Sequence, residues 1–203
     1  EKPGMVDSEG RVRDLSKIVE NIGPNELSPR GLKMLAKIKP ETLTVVANGP
    51  RLGVPFVGIG KFGAIGLNYS DHAKEAGMPI PKEPIIFNKV TSCICGPNDD
   101  TIIPQGSSKL DWEVELGIVI GQRASYLSKD KALDVVAGYC LANDVSERVF
   151  QIERAVRTQV VEGVVGQGQG LLDRVGRHQR QRHAGAFQHM HHAEEAQRVA
   201  PRD

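Results

Sequence analysis

Lysine is absent from residue 132 to the end of the chain, although residues 1–131 carry twelve lysines and five arginines. The same lysine-free stretch holds nine arginines, and five of the six histidines lie at position 178 or later. Two compositions therefore meet in one polypeptide. Aromatic residues make up only 4% of the chain and are nearly missing from the tail, which removes the stacking surface a single-stranded nucleic-acid binder uses. A net charge of +1 is too small for a strongly electrostatic partner such as duplex DNA. No apolar run is long enough to span a bilayer, and no positively charged leader precedes a hydrophobic segment. Cysteine is limited to Cys93, Cys95 and Cys140, an odd count with no Cys-x-x-Cys pair, and reads as reduced, buried thiols in a cytoplasmic protein.

What remains is ordinary globular material: 203 residues, 39% hydrophobic and 25% charged. MVDSEGRVRDLS (5–16) reads as a β-hairpin turning at Ser8-Glu9-Gly10. SPRGLKMLAKI (28–38) has Ser28 as N-cap, Pro29 at the first helical position, and Leu32, Leu35 and Ile38 on one face, so it predicts a short amphipathic helix. Residues 54–69 form a glycine-dotted strand region without the spacing of a phosphate loop. Strand-like runs follow at EPIIFNKV, DDTIIP, WEVELGIVIG and AGYCLAND, with a helix over 128–135. Strands outnumber helices, which gives a β-rich α+β domain.

Three constellations carry chemistry. In DWEVELGIVIG (111–121), Val114, Leu116, Ile118 and Ile120 share one face of a strand, while Asp111, Glu113, Glu115, Gly117 and Val119 share the other. Adjacent like charges repel, so either the acidic end faces water or a cation sits between the carboxylates. In GLNYSDHAKEAG (66–77), Ser70 can cap a helix that ends at Gly77, and His72 and Glu75 fall at i, i+3 on one face. A carboxylate beside an imidazole fixes its tautomer and raises its basicity, as a water-activating base requires; the pattern equally suits a solvated surface pair. Asp144, at the end of a hydrophobic strand in LANDVSER, suits either a cap or a third ligand. Together the acids form an all-oxygen set suited to Mg²⁺ or Mn²⁺ and not to zinc.

These stretches, in this order and spacing (GLNYSDHAKE, EPIIFNK, DWEVELG and NDVSER), resemble the fumarylacetoacetate hydrolase family over roughly residues 1–154. The resemblance implies an α+β fold: a mixed β-rich roll with a small N-terminal domain (1–57), a partial catalytic domain (58–155) and an atypical tail (156–203), the C-terminal portion being truncated or altered. It also implies a homodimer and a Mg²⁺- or Mn²⁺-dependent enzyme acting on 2-oxo or β-diketo acids. Position by position, Glu113, Glu115 and Asp144 match the metal ligands. His72 and Glu75 match the water-activating pair, and Lys89 matches a lysine lining the active site. A metal-stabilised enolate would then serve a hydrolase, lyase, decarboxylase or isomerase alike.

The tail departs from this pattern. Where family members carry a Trp-Asp-Lys-Gly-Lys-Gly segment, this chain has VVGQGQG (164–170). One legitimate codon choice for Val165–Gly170, read one base later, restores Trp and Lys-Gly-Lys-Gly, which points to an out-of-frame tail; the interval from Asp144, several residues too long, counts against it. The polar composition after 155 alternatively predicts disorder. The chain opens Glu1-Lys2-Pro3-Gly4 without an initiator methionine, and a clipped first strand is expected. Two competing readings follow. One is an inactive remnant of such an enzyme. The other is a transition-metal module in which His183, His189, His191, His192, Glu194 and Glu195 bind Ni²⁺, Cu²⁺ or Zn²⁺.

Overall fold

The computed structural model describes residues 1–153. Its strands form four antiparallel two-stranded ladders, with three short α-helices between them. The N-terminal hairpin is as expected: β1 (Gly4–Val6) pairs with β2 (Val12–Asp14), with Met5 opposite Arg13. Its turn closes on Asp7, whose Oδ1 accepts from the backbone N–H of Glu9 at 3.0 Å and of Arg11 at 2.9 Å. Gly10 has a φ of 79°, the left-handed conformation this turn needs. The Asp7 side chain is buried and ion-paired to Arg13 at 2.6 Å, and Arg13 also donates to the Leu43 carbonyl at 2.9 Å. Burial alone would raise the Asp7 carboxyl. Hydrogen bonds from the Arg11 backbone and from the Arg11 and Arg13 guanidinium groups outweigh it, holding the group well below the usual carboxylate range.

Two helices precede the larger ladders. α1 (Pro24–Leu27), which the hydrophobic pattern did not signal, starts where Glu26 accepts from the Gly23 N–H at 3.0 Å. In α2 (Pro29–Leu35), Ser28 caps as predicted, its Oγ accepting from the Gly31 N–H at 3.1 Å; the helix stops at Leu35, short of the expected Ile38. The 54–69 region condenses to β3 (Phe62–Gly66), which pairs with β4 (Ile85–Lys89). Between them lies α3 (Ser70–Glu75); Ser70 is its first residue and not its cap, a role taken by Tyr69, and Gly77 adopts φ 63° just past the end. DDTIIP is not a strand. Ile102 and Ile103 are exposed there, and the segment joins none of the ladders among the described residues.

The main ladder joins β6 (Val114–Ile120) to β7 (Val136–Asn143), in a register that sets Gly117 opposite Cys140 and Glu115 opposite Ala142. The turn of chain before β7 is a 3₁₀-helix over Lys129–Val135 and not an α-helix. Outside this ladder, β5 (Leu110–Asp111) pairs with β8 (Ser146–Glu147), two strands too short to leave a periodic signal. Gly117 is required by its partner: a Cβ there would collide with the Cys140 Sγ. The three cysteines are half-buried and unbridged, a shallower placement than the buried thiols expected.

Leu27 and Leu32 pack with Val119 and Ala137, with Ile22, Phe56 and Cys140 at the margin, so the first sixty residues share a core with the β6–β7 ladder. This fixes which face of β6 turns inward. The Glu113-Glu115-Gly117-Val119 side is the inner one, Val119 being buried, whereas Ile118 and Ile120 on the apolar side are more than half exposed, and Leu141, opposite Leu116 on that same side, is 43% exposed. The far end of the hydrophobic stripe, Ile118 and Ile120, therefore looks outward, while Glu113 and Glu115, on the face continuous with Val119, are half-buried, as are Val114 and Leu116.

Leu15 and Leu35 are the largest fully buried side chains. Leu35→Ala is expected to lower unfolding free energy by about 2–5 kcal/mol in urea titrations, through lost burial plus a residual cavity. Because the Asp7 carboxyl is depressed in the folded state, its stabilising contribution is complete above its ordinary value of 3.8 and is lost as pH falls below that towards the folded value. Asp7→Asn should accordingly melt lower than the parent at pH 7, and the gap should close on acidification below about pH 4.

Candidate metal and active site

The β6–β7 register continues one pair beyond the strands: the Asp144 N–H donates to the Glu113 carbonyl at 2.8 Å. Directly opposite residues point to the same side of a ladder, as do residues two apart on one strand. Glu113, Glu115 and Asp144 thus share one face, continuous with the buried Val119. The proximity is electrostatic as well as topological. Glu115 is pushed up to about 7, first by burial, with the charges of Glu113 and Asp144 adding to the shift and a Tyr69 hydrogen bond and Lys89 opposing it.

The protein supplies its own cations. Lys89, the last residue of β4, is 2% exposed and reaches Asp144 Oδ1 at 2.6 Å, across 55 residues of sequence, while its Nζ lies 5.3 Å from the Phe87 ring centroid. Arg148 contacts Glu113 Oε1 through Nη2 at 2.5 Å, holds Asp111 Oδ2 at 2.9 Å through Nη2 and 3.0 Å through Nε, and donates from Nη1 to Gln151 at 2.8 Å. Burial would lower the Arg148 guanidinium; the hydrogen bonds and charges of Asp111 and Glu113 prevail and raise it.

As the side chains stand, no group of three or more His, Cys, Asp or Glu residues among those described is arranged to hold a metal ion. The fit to Mg²⁺ or Mn²⁺ is one of donor type, common face and depth: hard carboxylate oxygens, half-buried, with negative charge in excess of the two cations. Arg148 holds Glu113, Lys89 holds Asp144, and Tyr69 bonds Glu115.

His72 and Glu75 occupy exposed positions on α3, spaced as the sequence predicts. The helix is tied to the acidic face at its start, where the Tyr69 hydroxyl accepts from the Leu116 N–H at 3.3 Å and bonds Glu115. Leu67, two residues earlier, has φ 49°, a left-handed conformation uncommon for leucine, as the chain leaves β3 and turns towards that contact. Tyr69 and Arg148 are the functional residues that motif reading passed over. Both lie inside motifs already singled out, GLNYSDHAKE and NDVSER, and neither shows a spacing pattern of its own. The VVGQGQG segment and the tail residues His183, His189, His191, His192, Glu194 and Glu195 lie outside the described residues.

With this geometry in place, the comparisons with known proteins are specific. The sequence pattern of the fumarylacetoacetate (FAA) hydrolase C-terminal family matches residues 61–170, more than half of the chain. The chain belongs to the fumarylacetoacetate hydrolase family. A protein of Burkholderia orbicola, provisionally named a hydrolase, is 58% identical over 154 residues, covering 76% of this chain and 55% of the relative. A similarly named protein of Burkholderia multivorans is 56% identical over the same length and shares. The chain therefore spans about half the length of the curated relatives it matches. A Mycobacterium smegmatis structure, described provisionally as an HpcE protein, superposes with a TM-score of 0.58 at 32% identity, covering 73% of this chain and 54% of that one. The fumarylacetoacetate hydrolase of Exiguobacterium antarcticum superposes at 0.59 with 24% identity over 80% and 61% of the two chains, a likeness of fold. The mixed α+β architecture expected for the family is thus present. Among the described residues no helix is long and apolar enough to cross a membrane.

The Lys89–Asp144 pair yields a stability test. Lys89→Met leaves a buried carboxylate uncompensated and is expected to destabilise by about 3–5 kcal/mol; the double variant Lys89→Met/Asp144→Leu should recover most of that loss, because neither charge remains to be paired. Chemical denaturation of the two variants and the parent measures both quantities.

Proposed function

We propose that the chain carries the metal-binding and water-activating machinery of a hydrolase acting on 2-oxo or β-diketo acids, with cleavage of a carbon–carbon bond. Family membership supports the reaction class, and one observation carries the assignment to residues: the register that gathers Glu113, Glu115 and Asp144 on a single inward face. These three would hold Mg²⁺ or Mn²⁺. The ion's contribution, when bound, is Lewis-acid stabilisation of the oxygen on which enolate charge develops.

The chain's own groups divide the remaining work. Lys89, buried beside Asp144, places a positive charge where a substrate carboxylate or a developing oxyanion can use it. His72, oriented by Glu75, takes a proton from water at an imidazole nitrogen, and the exposed position of α3 keeps that pair in contact with solvent. Tyr69 anchors the beginning of α3 to β6, which keeps the proton-accepting helix and the acidic face in one unit. The proposal includes the family's homodimer and a cytoplasmic setting, in keeping with three unbridged thiols.

Mn²⁺ or Mg²⁺ should raise the melting temperature of the wild-type chain and leave Glu113→Ala unmoved. His72→Ala should retain the metal-induced shift yet lose about 10²–10⁴-fold in turnover of a simple β-diketo acid, the usual worth of a positioned base. Equal shifts in wild type and Glu113→Ala would remove the ligand assignment.

A second reading, a partial enzyme without turnover, is favoured by the outward apolar face of Ile118, Ile120 and Leu141. It predicts that metal binds while no β-diketo acid is consumed at any metal concentration.

A further inference from the structure

Arg148 is the unusual member of the site, because it has more than one carboxylate to choose from. Its Nη2 lies 2.5 Å from Glu113 and 2.9 Å from Asp111, and its Nη1 bonds Gln151 at 2.8 Å. The arginine backbone is fixed independently, the Arg148 N–H donating to the Lys109 carbonyl at 2.9 Å, so the side chain can move without the strand. Lys89 differs: it is buried and holds Oδ1 of Asp144, leaving Oδ2 outside that contact.

We propose that Arg148 is an internal counter-ion that competes with a divalent cation for Glu113. In the metal-free chain the guanidinium neutralises this carboxylate; on metal binding it releases Glu113 and is retained by Asp111 and Gln151. The exchange conserves charge pairing. A guanidinium that gave up its sole anion would lose a charge-assisted bond, whereas Arg148 keeps its Nε bond to Asp111 throughout. Asp111, 49% exposed and the first of the three carboxylates on its face of the DWEVELG stretch, is thereby given a role distinct from its two neighbours: it holds the arginine that vacates the ligand. Lys89 remains on Asp144 in both states. Metal affinity is then set by a competition within the protein as well as by the donor set.

The inference rests on the metal reading of Glu113, Glu115 and Asp144, and the experiment separates the two. Calorimetric titration of the full 203-residue chain with Mn²⁺ is compared for wild type, Arg148→Gln, Asp111→Asn, the double variant and Glu115→Ala, with circular dichroism reporting the fold of each. Arg148→Gln should bind Mn²⁺ about tenfold tighter or better, since the competitor is gone and both ligand oxygens are available. Asp111→Asn should bind about threefold weaker, because Arg148 then leans wholly on Glu113. In the Arg148→Gln background the Asp111 substitution should have no effect; a simple loss of nearby negative charge would persist there. Glu115→Ala should abolish binding. If folded Arg148→Gln binds no tighter than wild type, the proposal falls while Glu115-dependent binding leaves the metal reading intact. If Arg148→Gln does not fold, unchanged or tighter binding by Asp111→Asn overturns the proposal. If neither wild type nor Arg148→Gln binds Mn²⁺, both readings fall together.

Discussion

Acids facing inward are the constraint from which the rest of this structure follows. Packing of Leu27 and Leu32 on Val119 and Ala137 forces the Glu113-Glu115 side of β6 towards the interior. Carboxylates at that depth repel one another and lose hydration, and each must find compensation. The chain meets the demand from two remote points: β4 ends on Lys89, and the turn after β8 delivers Arg148. The burial that drives Glu115 up to about 7 is the same burial that would make a divalent cation there strongly held. Stability and ligand affinity are thus two outcomes of one electrostatic problem.

The geometry also explains why a glycine interrupts the strand. Gly117 sits between the acids and the core, where a side chain would strike Cys140. Its absence of a Cβ lets β6 and β7 approach while the charged end of the ladder stays open towards α3. Tyr69 completes this arrangement by spanning from the start of α3 to the Leu116 amide. A backbone amide and a carboxylate are served by one hydroxyl, which makes Tyr69 a strut between the imidazole-bearing helix and the acidic ladder.

Much of this was legible in the sequence, and the limits have physical causes. Ser28-Pro29 announced α2 because capping is local, and β4, β6 and β7 announced themselves by alternation or by continuous apolar runs. Period-2 patterning separates two faces of a strand but does not say which one the rest of the chain will cover; here the apolar stripe of Ile118 and Ile120 ended outside. DDTIIP had strand composition yet joins no ladder among the described residues. β5 and β8, two residues each, were below any periodicity. The carboxylates were recognisable by type and motif, and Lys89 by resemblance, whereas the ion pairs were not, because Lys89 and Asp144 are 55 residues apart and Arg148 and Glu113 are 35 apart. Pairings of that range belong to topology, which a linear reading can take only from resemblance.

The nesting of the ladders has a kinetic consequence. β5–β8 encloses β6–β7, so the outer pair closes at lower entropic cost once the inner hairpin has formed around residues 121–135. The entropic cost of loop closure grows with the logarithm of the sequence distance spanned, and non-local pairings of this kind slow folding. Arg148 follows directly on β8, so its guanidinium reaches Glu113 through closure of the outer pair, whereas Asp144 reaches Glu113 through the inner one. Until the outer pair closes, the assembling hairpin carries carboxylate repulsion without the Arg148 counter-ion.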